Sequence, residues 1–418
     1  MKLLHFADTH LGMENYGRVN PQTGLHSRFE DGLKCLSFIV DTALEHEVDA
    51  AIFAGDAYRT CDPNPTHQHG FATQMSRLRE AGIPLVMVPG NHDMPVSFGR
   101  KSSIDIFGAL GTQGVYVFTR RQIETVPTAA GPLQVAPFPW PVRSNLMAQD
   151  EFRGASEEEV THEIEKRAGE GIEALAASLD DTLPAILIAH VMADKAETSG
   201  SEYYAAIMRD PRLHAGTLAN ARFDYVALGH VHKFQDLNKG AQPPVVYSGS
   251  MDRINFGEER DRKGCVLVDI LRKGHASYEF MPTPTRPFVT IRCDIEAGEE
   301  PTLSLLQAID RKSDQLAGAV VRVVYDLSDE REIDLNLKDI HRALSEAWLV
   351  DSIARTPRRL EERARRSDLT ESLGWPEALD KYAEVRAELK PHLPAIKACA
   401  ARLESEMTQK VAASSRGG

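Results

Sequence analysis

Five short apolar runs recur along the first part of the chain, and polar residues follow each of them. The runs occupy residues 3–7, 50–54, 83–88, 185–188 and 225–228. Short apolar runs bounded by Gly or Pro are typical of buried strands. Between the first runs, the spacing of apolar residues predicts helices at residues 28–46 and 66–80. The pattern therefore predicts an α/β fold.

A third predicted helix begins with a capping box formed by Ser156 and Glu159. Apolar residues then recur on one helical face, at Val160, Ile164, Ala168, Ile172 and Leu175. Two more strands are predicted at residues 244–247 and 265–270. We expect these elements to complete an N-terminal domain of residues 1–285, which ends in a Pro-rich linker at residues 281–287.

The pattern beyond the linker predicts a second, smaller α/β domain at residues 286–354. Its strands are expected at residues 289–295, 320–325 and 348–353, and its helices at residues 303–316 and 337–347. No residue there suggests catalysis. Residues 355–418 are rich in Arg, Glu and Ala and predict a helical tail.

The polar residues that follow the five runs are of metal-binding type. They are Asp8-Thr9-His10, Gly55-Asp56, Gly90-Asn91-His92-Asp93, Ala189-His190 and Gly229-His230-Val231-His232. Loops at the carboxyl ends of parallel strands form the ligand crevice of open α/β sheets, so we expect all five on one sheet edge. Strand side chains alternate, so Asp8 and His10 should lie on the same side of an extended segment.

These residue types suit two divalent ions. Two ions about 3.5–4 Å apart can clamp the attacking and leaving oxygens of a phosphoryl displacement, and Asp56 suits the bridging carboxylate. His, Asp and Asn ligands favour Mn, Fe or Zn over Ca or Mg. Asn91 can bind through its amide oxygen, which leaves His92 to protonate the leaving oxygen. Asp93 is expected to orient the His92 loop, with direct catalysis as the alternative.

The ordered motifs resemble those of the calcineurin-like metallophosphoesterases, and within them those of the bacterial SbcD-type nuclease subunits and their archaeal and eukaryotic relatives. The narrower resemblance rests on residues 7–12, Tyr247-Ser248-Gly249-Ser250, Phe256-Gly257-Glu258 and Lys263-Gly264. It implies a sandwich of two mixed sheets flanked by helices, a small α/β cap and a helical C-terminal tail.

The resemblance also implies a ligand set with two divalent metal ions, most readily Mn. One ion would be held by Asp8, His10, Asp56 and His232, and the other by Asp56, Asn91, His190 and His230, with His92 as the acid. Arg59 stands where archaeal and eukaryotic relatives usually carry a further functional His. Arg59 could contact a phosphate or form a surface salt bridge.

Composition indicates a soluble cytoplasmic protein. Hydrophobic content of 42% and charged content of 26% are ordinary for a globular chain. The five cysteines form no C-x-x-C pair, as is typical of a reducing cytosol. No apolar stretch reaches the ~20 residues of a membrane span, and the first strand begins too early for a cleavable signal peptide.

The net charge of −13 predicts weak binding to duplex DNA by the chain alone, because non-specific DNA affinity is largely electrostatic. The resemblance implies a partner, an SbcC-type ABC ATPase whose coiled-coil base would receive the tail, and it implies homodimers. The apolar residues for this docking would be Leu369, Leu373, Leu379, Tyr382, Val385 and Leu389. Packing of the same residues onto the cap is the alternative.

The sequence thus predicts a DNA nuclease subunit of SbcD type that acts in repair and recombination. One alternative is a small-substrate phosphodiesterase, against which the cap and the arginine-rich tail argue. Another is a non-catalytic scaffold, against which the complete ligand set argues. The sequence leaves open whether cleavage is exonucleolytic or endonucleolytic.

Overall fold

The computed structural model describes residues 1–95, 99–141, 152, 155–199, 210–296, 298–327, 335–355, 376 and 391–401. Met1–Arg355 form one compact unit and Thr356–Gly418 form a second. In the second unit, residues 391–401 are helical. The apolar positions expected to dock a partner, from Leu369 to Leu389, lie outside the described residues.

The strands of the first half of the chain are β1 Lys2–Phe6, β2 Ala50–Phe53, β3 Leu85–Met87, β4 Val115–Val117, β5 Glu124–Thr128, β6 Gly131–Phe138, β7 Ala185–His190 and β8 Met192–Ala193. Those of the second half are β9 Arg212–Leu213, β10 Tyr225–Gly229, β11 Gln235–Asp236, β12 Val245–Tyr247, β13 Gly264–Arg272, β14 His275–Pro282, β15 Phe288–Asp294, β16 Val320–Asp326 and β17 Leu349–Arg355.

Within the described residues of the first unit, the helices are α1 Ser27–Glu45, α2 Pro65–Glu80, α3 Asp105–Ala109, α4 Glu157–Ala177, α5 Ala215–Leu218, α6 Pro301–Asp310 and α7 Leu337–Ala343. Short 3-10 turns occupy Phe256–Glu258 and Ser313–Gln315. The predicted capping box of α4 is present, since Ser156 and Glu159 exchange side chain to backbone hydrogen bonds. Across the ranges that the structure describes, no helix has the length and apolar character of a membrane span.

Two six-stranded mixed sheets form the larger part of the first unit. The first has the order β14-β13-β1-β2-β3-β4, and the second has the order β11-β12-β10-β7-β6-β5. Strands β1 to β4 are parallel, as are β6, β7, β10 and β12, while the outer strands β5, β11, β13 and β14 pair antiparallel. This arrangement confirms the predicted sandwich of two mixed sheets.

Successive side chains along each strand point to opposite faces of its sheet, so each sheet packs against two hydrophobic cores. In β1, Leu3 faces a core shared by both sheets, whereas Leu4 faces the core under α1 and α2. In β7, Ile186 faces the shared core, and Leu187 faces the core under α4. Because both faces of these strands are buried, their sequences are mostly apolar on both faces, as in other sheets that are covered on both sides.

Residues 286–354 contain a separate three-stranded parallel sheet in the order β15-β16-β17, with α6 and α7 packed on it around their own core. Phe288 at the start of β15 contacts the larger part through Phe256 and Tyr16, with ring centroids 4.9 and 5.4 Å apart. We call residues 286–354 the cap.

Several elements differ from the prediction. Strands β4, β5, β6 and β14 were not predicted, and β14 includes Met281 and Pro282 from the expected linker. Exposed and buried positions mix along β14, so it lacks a continuous apolar run. The predicted helix at residues 303–316 is instead α6 followed by the turn Ser313–Gln315.

Candidate metal centre

The site lies where the carboxyl ends of strands from the two sheets meet. The expectation that all five strand ends share one sheet edge is wrong, because β1, β2 and β3 belong to the first sheet and β7 and β10 to the second. The backbone N–H of His230, after β10, donates to the Asp8 carboxylate after β1 at 3.0 and 3.1 Å. Packing of the two sheets therefore brings the motifs together.

The backbone turns sharply at four of the candidate ligands. The φ angles are 51° at Asp8, 41° at His10, 61° at Asp56 and 97° at His230. The expectation that Asp8 and His10 lie on an extended segment is therefore wrong. Non-glycine residues at positive φ cost of order 1–3 kcal/mol, and such strain is concentrated at functional sites.

Asp8, His10 and His232 form a first group. Their potential ligand atoms all lie within 4.8 Å of one another. Nε2 of His10 lies 3.0 Å from Nε2 of His232 and 3.7 Å from Oδ2 of Asp56. All four side chains are buried.

Asn91, His190 and His230 form a second group. Oδ1 of Asn91 lies 3.0 Å from Nε2 of His190 and 3.0 Å from Nδ1 of His230. Nε2 of His190 is 3.4 Å from Oδ2 of Asp56. The same Asp56 oxygen therefore lies beside both groups.

The tautomers of these histidines fit a bound cation. Nδ1 of His190 donates to the Ala54 carbonyl at 2.7 Å, and Nδ1 of His232 donates to Glu258 Oε1 at 3.1 Å. In the neutral form of each ring, Nε2 then carries a lone pair that faces other acceptors. Two donors bound about 2.1 Å from one ion at right angles lie about 3 Å apart, which agrees with these contacts. The two groups could thus hold divalent ions.

The buried carboxylates also need a positive counter-charge. Burial acts to raise the pKa of Asp56, but the neighbouring histidines, His190 foremost with His92 and His10, together hold that pKa well below its ordinary value. Burial would lower the pKa of His190, yet Asp56 raises it to about 9. Burial raises the pKa of Asp8 and lowers that of His10 well below its usual range. Such perturbed groups are typical of functional sites.

His92 lies at the outer side of the first group. Its backbone N–H donates to Oδ1 of Asp56 at 2.8 Å, and its ring is 4.8 Å from the ring of His10. Nδ1 of His92 donates to the carbonyl oxygen of Arg59 at 2.9 Å. The side chain of Arg59 is exposed. Arg59 therefore orients His92 through its backbone, which side-chain chemistry could not predict.

Asp93 joins two of the loops. Its carboxylate accepts the N–H of Asp56 at 2.8 Å, of Gly90 at 3.0 Å and of Ala57 at 3.1 Å. Burial raises its pKa to about 7. These bonds fix the His92 loop against the Asp56 loop, in agreement with the orienting role expected for Asp93.

Gly55 and Gly90 leave room for the ligands. A Cβ atom on Gly90 would collide with the Asp56 carboxylate and the His190 ring. Gly55 has a φ of +98°, and a Cβ there would collide with the same ring. The glycines that precede Asp56 and Asn91 are therefore needed where their loops approach His190.

Trp140, Glu258 and Asp210 also contact candidate ligands and were missed from the sequence. Oδ2 of Asp210 lies 3.4 Å from Nε2 of His230. The Trp140 ring lies 5.0 Å from that of His230 and 6.1 Å from that of His190. Glu258 is fully buried against His232 and Lys263. Lys263 and His232 hold the pKa of Glu258 below its ordinary value, although burial acts to raise it. The Phe256-Gly257-Glu258 motif was a signal for Glu258, whereas no sequence pattern marked Trp140.

The model of the calcineurin-like phosphoesterase family matches residues 1–234. The chain belongs to this family. As a calcineurin-like phosphoesterase it is SbcD-like, which confirms the predicted resemblance. It is 27% identical to the SbcD subunit of nuclease SbcCD from Staphylococcus epidermidis over 302 residues, covering 71% of this chain and 73% of that protein. Against the SbcD subunit from Rhodobacter capsulatus it is 27% identical over 327 residues, covering 74% and 76%.

Other similarities of this calcineurin-like phosphoesterase are more partial or more distant. The SbcD subunit from Bacillus subtilis is 27% identical over 272 residues, covering 64% of this chain and 66% of that protein. A Thermus thermophilus crystal structure matches with a TM-score of 0.36 and 15% identity, and a dimetal phosphatase from Danio rerio with 0.38 and 9%. Each structural match covers 67% of this chain and 98% of the other.

Proposed function

We propose that this chain is the nuclease subunit of an SbcCD-type complex and hydrolyses DNA phosphodiester bonds with the help of two divalent ions. The main support for this proposal is the position of Asp56, whose buried carboxylate lies beside both groups of candidate ligands. A shared carboxylate is what two ions held about 3.5–4 Å apart require. The similarity to SbcD subunits of nuclease SbcCD supports the substrate class.

We assign the candidate ligands to two ions. The first would be held by Asp8, His10, Asp56 and His232, and the second by Asp56, Asn91, His190 and His230. Mixed nitrogen and oxygen donors favour Mn, Fe or Zn over Ca or Mg, and we propose Mn²⁺ because carboxylate and amide oxygens also suit it. When bound, the ions lower the pKa of an attacking water towards about 7 and stabilise charge on the attacking and leaving oxygens.

The remaining residues position and protonate the substrate. His92, held through Nδ1 by the Arg59 carbonyl, presents Nε2 as the nitrogen that gives a proton to the leaving oxygen. The exposed guanidinium of Arg59 is suited to a bidentate contact with a phosphate beside the scissile bond. Asp93 keeps both loops in register through its three backbone contacts.

The net charge of the chain limits its own affinity for DNA. A chain with a net charge of −13 repels a polyanion except at its metal centre, so its own affinity for a duplex should be low and should fall as salt rises. We propose that an SbcC-type ABC ATPase supplies the missing affinity and that residues 355–418 dock onto it. The complex would act in DNA repair and recombination in the cytoplasm.

The test compares substrates at one Mn²⁺ concentration. Purified protein is incubated with single-stranded DNA, duplex DNA, cyclic dinucleotides and cyclic mononucleotides, with and without the ATPase. We expect cleavage of single-stranded or frayed DNA, and of duplex DNA mainly when the partner is present. Asp56→Asn, which removes charge between the two groups, is the matched control and should be inactive.

Rapid turnover of cyclic nucleotides with no DNA cleavage under either condition would overturn the nuclease proposal in favour of a small-substrate phosphodiesterase. Absence of all phosphodiester hydrolysis, with two ions bound, would favour a scaffold instead.

A further inference from the structure

A buried carboxylate lies on the side of His232 opposite His10. Glu258 is 0% exposed, and its Oε1 accepts from Nδ1 of His232 at 3.1 Å. Its Oε2 lies 2.8 Å from Nζ of Lys263, whose side chain is also 0% exposed. The same Nζ donates to the His232 carbonyl at 2.9 Å and to Oγ of Ser250 at 3.0 Å. Glu258 and Lys263 thus hold both the ring and the backbone of His232.

We propose that Glu258 is a positioning residue that fixes the His232 imidazole for metal binding. By accepting a hydrogen bond from Nδ1–H, it selects the tautomer whose Nε2 lone pair faces Nε2 of His10, 3.0 Å away. Carboxylates behind metal-binding histidines generally set ring orientation and raise ligand basicity. This inference rests on the proposed function only in taking His232 as a ligand.

Stability alone does not account for the pair. Replacing a buried ion pair by apolar side chains of similar volume is often neutral or stabilising, because the desolvation penalty can exceed the Coulombic gain. Glu258 and Lys263 are both fully buried and both contact His232. A role in orienting His232 explains why Glu258 and Lys263 are buried beside it.

The next residue along the chain provides a contrast. The carboxylate of Glu259 accepts the N–H of Thr290 at 3.0 Å and its hydroxyl at 2.5 Å. Thr290 belongs to β15 of the cap. Adjacent glutamates therefore face different partners: Glu258 faces the metal centre, and Glu259 faces the cap. Glu259→Gln is accordingly a matched control for loss of charge in the same segment.

The experiment measures Mn²⁺ binding by calorimetric titration without any substrate. The principal variant is Glu258→Gln combined with Lys263→Met, which removes both charges and so leaves neither one buried without its partner. A second variant, Glu258→Asp, keeps a charge for Lys263 but shortens the side chain that reaches His232. Thermal melts establish that each variant is folded.

The wild-type chain is expected to bind two ions. In both Glu258 variants, affinity for one ion should fall roughly 10- to 100-fold while the other is bound as before. Glu259→Gln should bind both ions as the wild type does. If either folded Glu258 variant binds both ions with wild-type affinity, the positioning role is overturned and the proposed nuclease stands. A wild-type chain that binds no ion would overturn the metal centre and this inference together.

Discussion

Nδ1 of His92 lies 2.9 Å from the carbonyl oxygen of Arg59, so one ring nitrogen is held by a main-chain acceptor. The backbone N–H of His92 is held as well, at 2.8 Å from Oδ1 of Asp56. His92 is therefore held both at its backbone and at one ring nitrogen. Nε2 is the nitrogen left to transfer a proton.

We predict that His92→Ala keeps both ions but lowers phosphodiester hydrolysis roughly 10²–10⁴-fold, as is typical for loss of a positioned acid. Metal content and hydrolysis rate would be measured on the same preparation. His69→Ala, on the exposed side of α2, is the control and should match the wild type. If His92→Ala loses both ions, His92 is a metal ligand and its assignment as the acid is wrong.

Gly90→Ala should abolish binding of at least one ion, because the added methyl would displace the Asp56 carboxylate or the His190 ring. Gly169→Ala in α4, where no atom beyond the adjacent helix backbone lies within 4 Å of the new Cβ, is the control. That helical substitution should stabilise the fold by up to about 1 kcal/mol. Bound Mn²⁺ and melting temperature are the measurements, and normal Mn²⁺ binding by Gly90→Ala would contradict the packing argument.

His5 should make the protein sensitive to acid. Burial lowers the pKa of its imidazole to about 3, and its Nδ1 lies 3.0 Å from the Tyr225 hydroxyl. Between pH 6.5 and 3 the unfolded chain binds a proton at His5 that the folded chain does not. Stability contributed by neutral His5 is therefore present above pH 6.5 and falls as the pH is lowered, by about 1.4 kcal/mol per unit.

The corresponding variant is His5→Gln, which can still bond Tyr225 but does not titrate. Urea unfolding at pH 7.5 and pH 5 should show that the free energy of unfolding of the wild type falls by about 2 kcal/mol more than that of the variant. If the free energy of unfolding changes equally with pH in the wild type and the variant, the pKa of His5 is the same in the folded and unfolded chains and the prediction is wrong.

We predict that Arg286 stabilises the contact between the cap and α1. Its guanidinium donates to both carboxylate oxygens of Asp31, at 2.7 and 2.8 Å, and lies 4.4 Å from the ring of Trp348. Arg286→Lys keeps the charge but loses the bidentate contact with Asp31 and the stacking on Trp348. We expect unfolding to become easier by about 1–3 kcal/mol. Arg342→Lys, in an exposed ion pair with Asp339, should leave the melt unchanged, and equal melts for both variants would contradict the prediction.

Deleting residues 356–418 should leave hydrolysis of a small chromogenic phosphodiester intact and abolish association with the ATPase. The deletion leaves β17 whole, and every candidate ligand lies between Asp8 and His232. Co-purification with the ATPase and hydrolysis rate are the two readouts. A truncated chain that still binds the ATPase would remove the docking role from this segment.

The residues of the site could be recognised from the sequence because each follows an apolar run that becomes a buried strand. Asp8, His190 and His230 follow or end β1, β7 and β10 in this way. The residues that contact and orient these side chains could not be recognised from the sequence. Trp140, Glu258 and the Arg59 carbonyl act through proximity between segments distant in the chain, and no local pattern records such proximity.

The sequence by itself determined the strands that precede the candidate ligands, the long helices α1, α2 and α4, and the metal-binding residue types at the strand ends, since periodicity and residue type are local properties. Only the tertiary structure decided that β1 and β10 belong to different sheets and that Asp8 nevertheless accepts the N–H of His230. The physical reason is that sheet pairing and the packing of one sheet on another depend on contacts between remote segments. The positive φ angles at Asp8, His10 and Asp56 are likewise held by that packing, because the local preference of these residues opposes them.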